Sequence, residues 1–225
     1  MAIPTIAKVE VTSFTWAVKG IVHARAFHYD PDSALTFRGS VMRITADNGV
    51  VGEYGGWRAD PGAVADAAQR YLGQNALDRE RFYQAMKNSP VMAVYDIALW
   101  DLAGKMADLP VHGMIGTYRT RVPAYASTID GAVTGPLSTP ESFADFAEAC
   151  LAMGYRGFKI HPMAWPDVRT HVEAVLAVGR RVGGRMDTMI DPYCLYPTFA
   201  DALRVGRACD EAGFFWLEDP YADGG

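Results

Sequence analysis

Val9 and Val11 alternate with Lys8, Glu10 and Thr12, the two-residue period of a half-buried strand close to the N-terminus. Strand character returns from Leu35 to Thr45, and Asn48-Gly49 then leads into Val50-Val51-Gly52-Glu53. Two such runs joined by Asn-Gly predict a hairpin, because this pair accepts the left-handed backbone of a tight turn. The stretch between the first strand and the hairpin, Lys19 to Ser33, reads as irregular and holds His23, Arg25, His28 and Tyr29. A Gly-rich loop, Tyr54 to Asp60, follows. The pattern then turns helical. Asp60 is a predicted N-cap, Pro61 suits the first helical position, and Gly73 is the expected stop. Asp78 to Asn88 reads as a charged surface helix. Ser89 and Pro90 open a third helix, reaching to about Ala107. Val91, Val94, Ile97, Ala98, Leu99, Leu102 and Ala103 make it apolar on most sides, which predicts burial between layers. Pro110 prevents its continuation.

Past Arg121 the rhythm changes. VPAYAST, GFKIH, Met186–Asp191 and FFWLE read as strands. Between them Thr139–Met153, Pro166–Val182 and Thr198–Ala212 read as helices, with Gly154 and Gly213 after the first and last. Strands alternating with helices at about thirty residues per unit predict βαβ crossovers and a parallel sheet. The chain therefore divides into an α+β part, residues 1–121, and an α/β part, residues 122–225. A closed (β/α)8 barrel needs about 250 residues, more than twice the alternating part. The fourth strand is followed only by a short Gly-ending stretch, which would leave an open parallel edge and an uncovered apolar face. The expectation is a truncated chain, the first four strands of a TIM-like barrel within a longer protein. The rival is a small doubly wound domain complete in four strands.

Composition narrows the classes. Half of the 225 residues are apolar and 21% are charged, as in ordinary globular chains. The net charge of −5 argues against nucleic acid as a partner, because phosphate binding needs a basic surface. No apolar run is long enough to span a bilayer, and the alternating N-terminus is no signal peptide. Cys150, Cys194 and Cys209 are an odd number, far apart, which fits a reducing cytoplasm better than a disulfide framework or a zinc site.

The chemistry-bearing residues gather at predicted strand ends. In Phe158-Lys159-Ile160-His161, alternation puts Lys159 and His161 on one face and the apolar pair on the other. In a barrel the cationic pair would point into the mouth, at the end where such folds build active sites. Taken alone, the pair also fits a surface lysine and a satisfied histidine. Asp191 ends the next strand and Glu218 the one after, each before a proline-bearing turn. Two inward carboxylates on neighbouring strands repel unless a cation lies between them, and hard oxygens suit Mg2+. Each could instead cap the following helix, but ionisable groups ending three successive strands favour the metal. Cys194, near Asp191, reads as a packing residue, and His112 and His171 as structural or solvated.

The segments VMAVYDIALWDLAGKMADLPVHGMIG, VPAYAS, KIH, IDP and WLEDP, in this order, resemble the enolase superfamily, in its mandelate racemase / muconate lactonizing enzyme branch. DIALWDLAGK and LEDP are the most specific pieces. The resemblance implies an N-terminal α+β capping domain (1–121) and a modified TIM barrel whose first half is 122–225. It also implies a divalent metal held at three successive strand ends, with Asp191 and Glu218 as the first two ligands. The third ligand and the opposite-face His-Asp pair would lie beyond Gly225. Two positions depart from the family pattern. Lys159-Ile160-His161 stands where many members have Lys-x-Lys, and Asp191-Pro192-Tyr193 lacks the Asn that many relatives carry two residues on.

The implied chemistry is abstraction of the proton α to a carboxylate, with Mg2+ stabilising the enediolate. Lys159 would add positive charge at that carboxylate, and His161 would move the α-proton. Loss of a β-hydroxyl would make the enzyme an acid-sugar dehydratase, the leading reading. The alternatives are a racemase, epimerase or cycloisomerase, and a catalytically inactive member. His23, Arg25, His28, Tyr54, Trp57 and Arg58 are the candidate substrate contacts, suited to a polyhydroxy acid. The expected partners are a small carboxylate substrate and further copies of the chain in a homo-oligomer, with neither nucleic acid nor a membrane. The 225-residue chain alone is expected to be inactive.

Overall fold

The computed structural model describes residues 3–23, 27–57, 59–128, 137–162, 165 and 167–221. The chain divides into two compact units, Met1–Ala17 with Thr36–Arg121, and Val18–Leu35 with Val122–Gly225.

The first sheet has three strands in the order β1 (Ile6–His23), β2 (Phe27–Ala46), β3 (Val51–Trp57). β2 and β3 pair antiparallel, with Arg43 opposite Glu53. Their turn is the predicted one. Gly49 takes φ +84°, Ala46 N–H donates to Val50 O at 2.9 Å, and Val50 N–H to Asn48 Oδ1 at 3.1 Å. The stretch read as irregular, Lys19 to Ser33, is strand wherever it is described, because β1 and β2 are far longer than their apolar alternation. Ladder hydrogen bonds between the arms sustain extended backbone that the local side chains do not announce.

α1 (Pro61–Ala68) begins at Asp60, whose carboxylate accepts from Ala63 N–H at 2.7 Å. It stops before Gly73, which instead donates its N–H to Ile6 O at 2.8 Å. α2 (Arg79–Met86) and α3 (Met92–Ala107) follow. α3 ends on Asp108 in the left-handed region, φ +53°, two residues before Pro110. A short helix, α4 (Val111–Met114), was not foreseen in the pattern. α3 packs on β3 at Gly52, where a Cβ would come within 2.5 Å of Leu102 Cβ. Only glycine permits that approach. Tyr71 and Tyr95 stack at 4.2 Å within this core, and Tyr95 Oη donates to Val64 O at 2.7 Å. α3 is not buried on every apolar side, since Ile97 is 50% exposed.

The second sheet is parallel, β4 (Ala126–Ser127), β5 (Gly157–Ile160), β6 (Asp187–Ile190), β7 (Trp216–Leu217), in sequence order. β4 and β7 are much shorter than VPAYAST and FFWLE suggest. Each pairs with one neighbour only among the described residues, and Pro123 has no N–H to give. The crossovers are α5 (Pro140–Ala152), α6 (Val168–Val182) and α7 (Phe199–Ala212). Their N-caps are Thr139, Asp167 and Thr198, each accepting a backbone N–H of the first turn. Gly213 closes α7 at φ +67°. Phe158, Ile160 and Ile190 are buried with Phe143, Val175, Val178 and Val205. This apolar face leaves Lys159 and Met189 on the opposite face of the sheet.

Candidate active site

The parallel ladder continues one step past the strands. Thr128 N–H donates to Lys159 O at 3.0 Å, Asp191 N–H to Ile160 O at 2.9 Å, and Glu218 N–H to Ile190 O at 2.9 Å. Backbone pairing thereby puts Asp191 and Glu218 at the C-terminal ends of adjacent strands, beside the end of β5.

Four ionisable side chains meet there. Lys159 Nζ donates to Asp191 Oδ2 at 3.1 Å and to Glu218 Oε2 at 2.9 Å. His161 Nε2 lies 2.9 Å from the same Asp191 Oδ2. Asp191 Oδ1 accepts from Tyr193 N–H at 2.9 Å, and Glu218 Oε2 from Trp216 Nε1 at 3.0 Å. Lys159 and Asp191 are buried, His161 is partly so, and Glu218 reaches the surface. Burial pulls the Lys159 ammonium down, but the hydrogen bonds and charges of Glu218 and Asp191 outweigh it and hold its pKa above the usual lysine value. Burial pushes the Asp191 carboxyl up, but the Lys159 bond, the Tyr193 N–H and the His161 and Lys159 charges prevail, so its pKa falls below the usual carboxylate value.

His161 is fixed from both sides. Nδ1 lies 2.8 Å from Thr128 O, and the His161 N–H donates to Thr128 Oγ1 at 2.9 Å. Thr128 O and Asp191 Oδ2 are both acceptors, so the doubly protonated ring satisfies both contacts and a neutral ring only one. Beneath the cluster lie aromatic rings that the sequence reading missed. Tyr125 has its centroid 5.5 Å from Lys159 Nζ, and Trp216 meets Tyr125 edge-on at 6.0 Å. Strand alternation carried the signal, since Trp216 stands two residues before Glu218 and Tyr125 two before Ser127.

The two carboxylates converge on one cationic point, and their oxygens are the hard donors that Mg2+ takes. Among the described residues no group of three or more His, Cys, Asp or Glu is arranged to hold a metal ion. Asp191 and Glu218 thus fit a hydrated divalent cation as a ligand pair rather than as a closed cage.

A family model, Enolase C-terminal domain-like, matches residues 142–224. The fold matches the crystal structure of D-glucarate dehydratase from Agrobacterium tumefaciens complexed with magnesium, with a TM-score of 0.86 and 30% identity, over 99% of this chain and 62% of that one. Residues 142–224 carry an enolase C-terminal-like domain, and the relatives and structural neighbours of the chain are enolase-superfamily enzymes. A 3,6-anhydro-alpha-L-galactonate cycloisomerase of Streptomyces coelicolor is 32% identical over 161 residues, 66% of this chain and 42% of that protein. An N-succinyl-L-Arg/Lys racemase of Bacillus cereus is 26% identical over 200 residues, 80% of this chain and 51% of that protein. The chain spans about half the length of the curated relatives it matches. Superfamily relatives of this chain include acid-sugar dehydratases, racemases and cycloisomerases.

Other sequence candidates stand apart. Arg25 and Arg58 lie outside the described residues, as do the side chains of His23, His28 and Trp57. Tyr54 packs against the core of the first unit, with its ring over Gly56. Cys194, expected to pack, is exposed, because φ +61° turns it outward next to Tyr193 at φ +53°. His112 is exposed and pairs through Nδ1 with Thr117 Oγ1 at 2.9 Å, whereas His171 is buried. No helix among the described residues is long and apolar enough to cross a membrane.

Proposed function

We propose that this chain supplies half of the active site of a Mg2+-dependent acid-sugar dehydratase. One observation carries the reading. Lys159, His161, Asp191 and Glu218 converge at the C-terminal ends of three adjacent parallel strands, within 3.1 Å of one another in sequence along the cluster. The four parallel strands are read as the first four of a (β/α)8-type barrel, and residues 1–121 as the capping domain.

Asp191 and Glu218 would hold the Mg2+. When bound, the ion supplies Lewis-acid stabilisation of the charge that develops on the substrate carboxylate. Lys159, released from the two carboxylates, places its ammonium against that same carboxylate and orients it. His161 moves the α-proton through Nε2, because Nδ1 is committed to Thr128 O. That nitrogen opens to substrate when Asp191 lets it go. Dehydration removes the α-proton and the β-hydroxyl as water, and the enol product becomes a 2-keto-3-deoxy acid. The Tyr125 ring faces the Lys159 ammonium, with Trp216 edge-on against Tyr125.

A racemase or epimerase shares the first proton transfer, and the 26%-identical racemase relative keeps it as the second reading. The test is a panel of acid sugars incubated with the full-length protein and Mg2+ in deuterated water. Formation of a 2-keto-3-deoxy acid carrying deuterium at C3, where the enol takes up a solvent proton as C2 becomes a carbonyl, supports the dehydratase. Deuterium with inverted configuration and no keto acid supports the racemase. The absence of both keto acid and deuterium incorporation with every acid sugar would sink both readings.

A further inference from the structure

We propose that His171 is a positioning residue that locks the loops following β5, β6 and β7 to one another and so holds Asp191 in place. The link to Asp191 as a metal ligand rests on the reading above, whereas the locking of the loops does not.

His171 lies in the first turns of α6 and is buried, 2% exposed. Its Nε2 lies 2.9 Å from Trp165 O, a carbonyl that can only accept, so Nε2 carries the hydrogen. Nδ1 therefore offers its lone pair, and Tyr196 Oη donates to it at 3.1 Å. Trp165 stands in the loop that His161 opens. Tyr196 stands in the loop that Asp191 opens. One ring thus spends both nitrogens on two different loops, each beginning with a residue of the charged cluster. A histidine that merely filled a core would have no reason to bridge them.

The bridge extends to the third loop. Tyr196 N–H donates to Pro220 O at 3.1 Å, and Cys194 N–H to Asp219 O at 2.7 Å, next to Glu218. The same loops carry backbone that needs holding. Tyr193, Cys194 and Asp219 take φ of +53°, +61° and +36°, and none is glycine. Such conformations persist only where the surroundings over-determine them. Trp165 and Tyr196 are themselves buried, and Trp165 meets Phe143 edge-on at 5.0 Å. The buried His171–Tyr196 pair is the fixed peg from which the strained segment 193–194 is hung.

The test compares His171→Leu, His171→Gln and Tyr196→Phe in the full-length protein. Leucine fills the space and removes both bonds. Glutamine can restore the polarity, donating from its amide nitrogen and accepting at its oxygen. Hydrogen exchange of the segment 192–198 should quicken about tenfold in His171→Leu and Tyr196→Phe and return close to wild type in His171→Gln. Mn2+ affinity, read by electron paramagnetic resonance, should weaken several-fold in the same order. Unchanged exchange in His171→Leu, or no recovery in His171→Gln, overturns the lock. If His171→Leu does not fold, Tyr196→Phe carries the test. Asp191→Asn separates the two claims. If it weakens Mn2+ binding while faster loops do not, the positioning role fails. If Asp191→Asn leaves Mn2+ binding unchanged, the metal reading fails, and the exchange order alone decides the lock.

Discussion

Lys159 and Glu218 stand 59 residues apart in the chain, yet their charged atoms lie 2.9 Å apart. The same ammonium reaches Asp191 at 3.1 Å, so one lysine bridges two carboxylates on two strands. On the proposed reading, a divalent cation held by Asp191 and Glu218 would compete with Lys159 for the same oxygens. Lys159→Met should therefore destabilise the metal-free protein by about 3–5 kcal/mol, since it leaves Asp191 buried without its main partner. It should also tighten Mg2+ binding. Thermal unfolding with and without Mg2+ checks both. A variant as stable as wild type, with equal Mg2+ affinity, would contradict the shared-cation arrangement.

His161→Asn should abolish exchange of the substrate α-proton in the full-length enzyme while leaving Mg2+ binding in place. Asparagine keeps a donor for Thr128 O but has no group that accepts a proton near neutral pH. Nuclear magnetic resonance of the substrate in deuterated water measures this. Exchange at the wild-type rate would move the base elsewhere.

Much of the site was legible because strand alternation and strand ends are local signals. Lys159 and His161 were placed on one face by period alone, and Asp191 and Glu218 by their position before Pro192 and Pro220. What escaped depends on partners distant in sequence. The long arms of β1 and β2 contain Asp30, Pro31 and Asp32, poor strand residues that hydrogen bonding across the ribbon carries along. Tyr125 and Trp216 read as ordinary strand aromatics, and only the sheet brings Tyr125 against Lys159 and Trp216 against Tyr125 and Glu218. Cys194 could not be placed from sequence, since nothing local announces a left-handed cysteine.

Gly52→Ala tests the packing of β3 on α3. The new methyl would stand 2.5 Å from Leu102 Cβ and 2.7 Å from its backbone nitrogen, which cannot step aside. Overpacking of this kind costs about 1–3 kcal/mol. Chemical denaturation should show a loss in that range, and an unchanged midpoint would mean that β3 and α3 can separate freely.

Stability at mildly acid pH should depend on His171. Burial lowers its proton affinity below that of an ordinary histidine, against the opposing pull of the Trp165 carbonyl and the Asp167 charge. The folded chain therefore binds fewer protons at this site than the unfolded chain does. The neutral ring fits the lock, donating to Trp165 O and accepting from Tyr196 Oη. Its contribution to stability is fully present above the unfolded pKa, near 6.5, and is lost as pH falls through the lower folded value. Wild type should lose stability between about pH 7 and pH 5 more steeply than His171→Gln, whose amide does not titrate. Urea unfolding of both proteins at a series of pH values measures the difference. Parallel curves would mean that His171 accepts its proton without cost, and that neither burial nor the Tyr196 hydroxyl holds it in the neutral form.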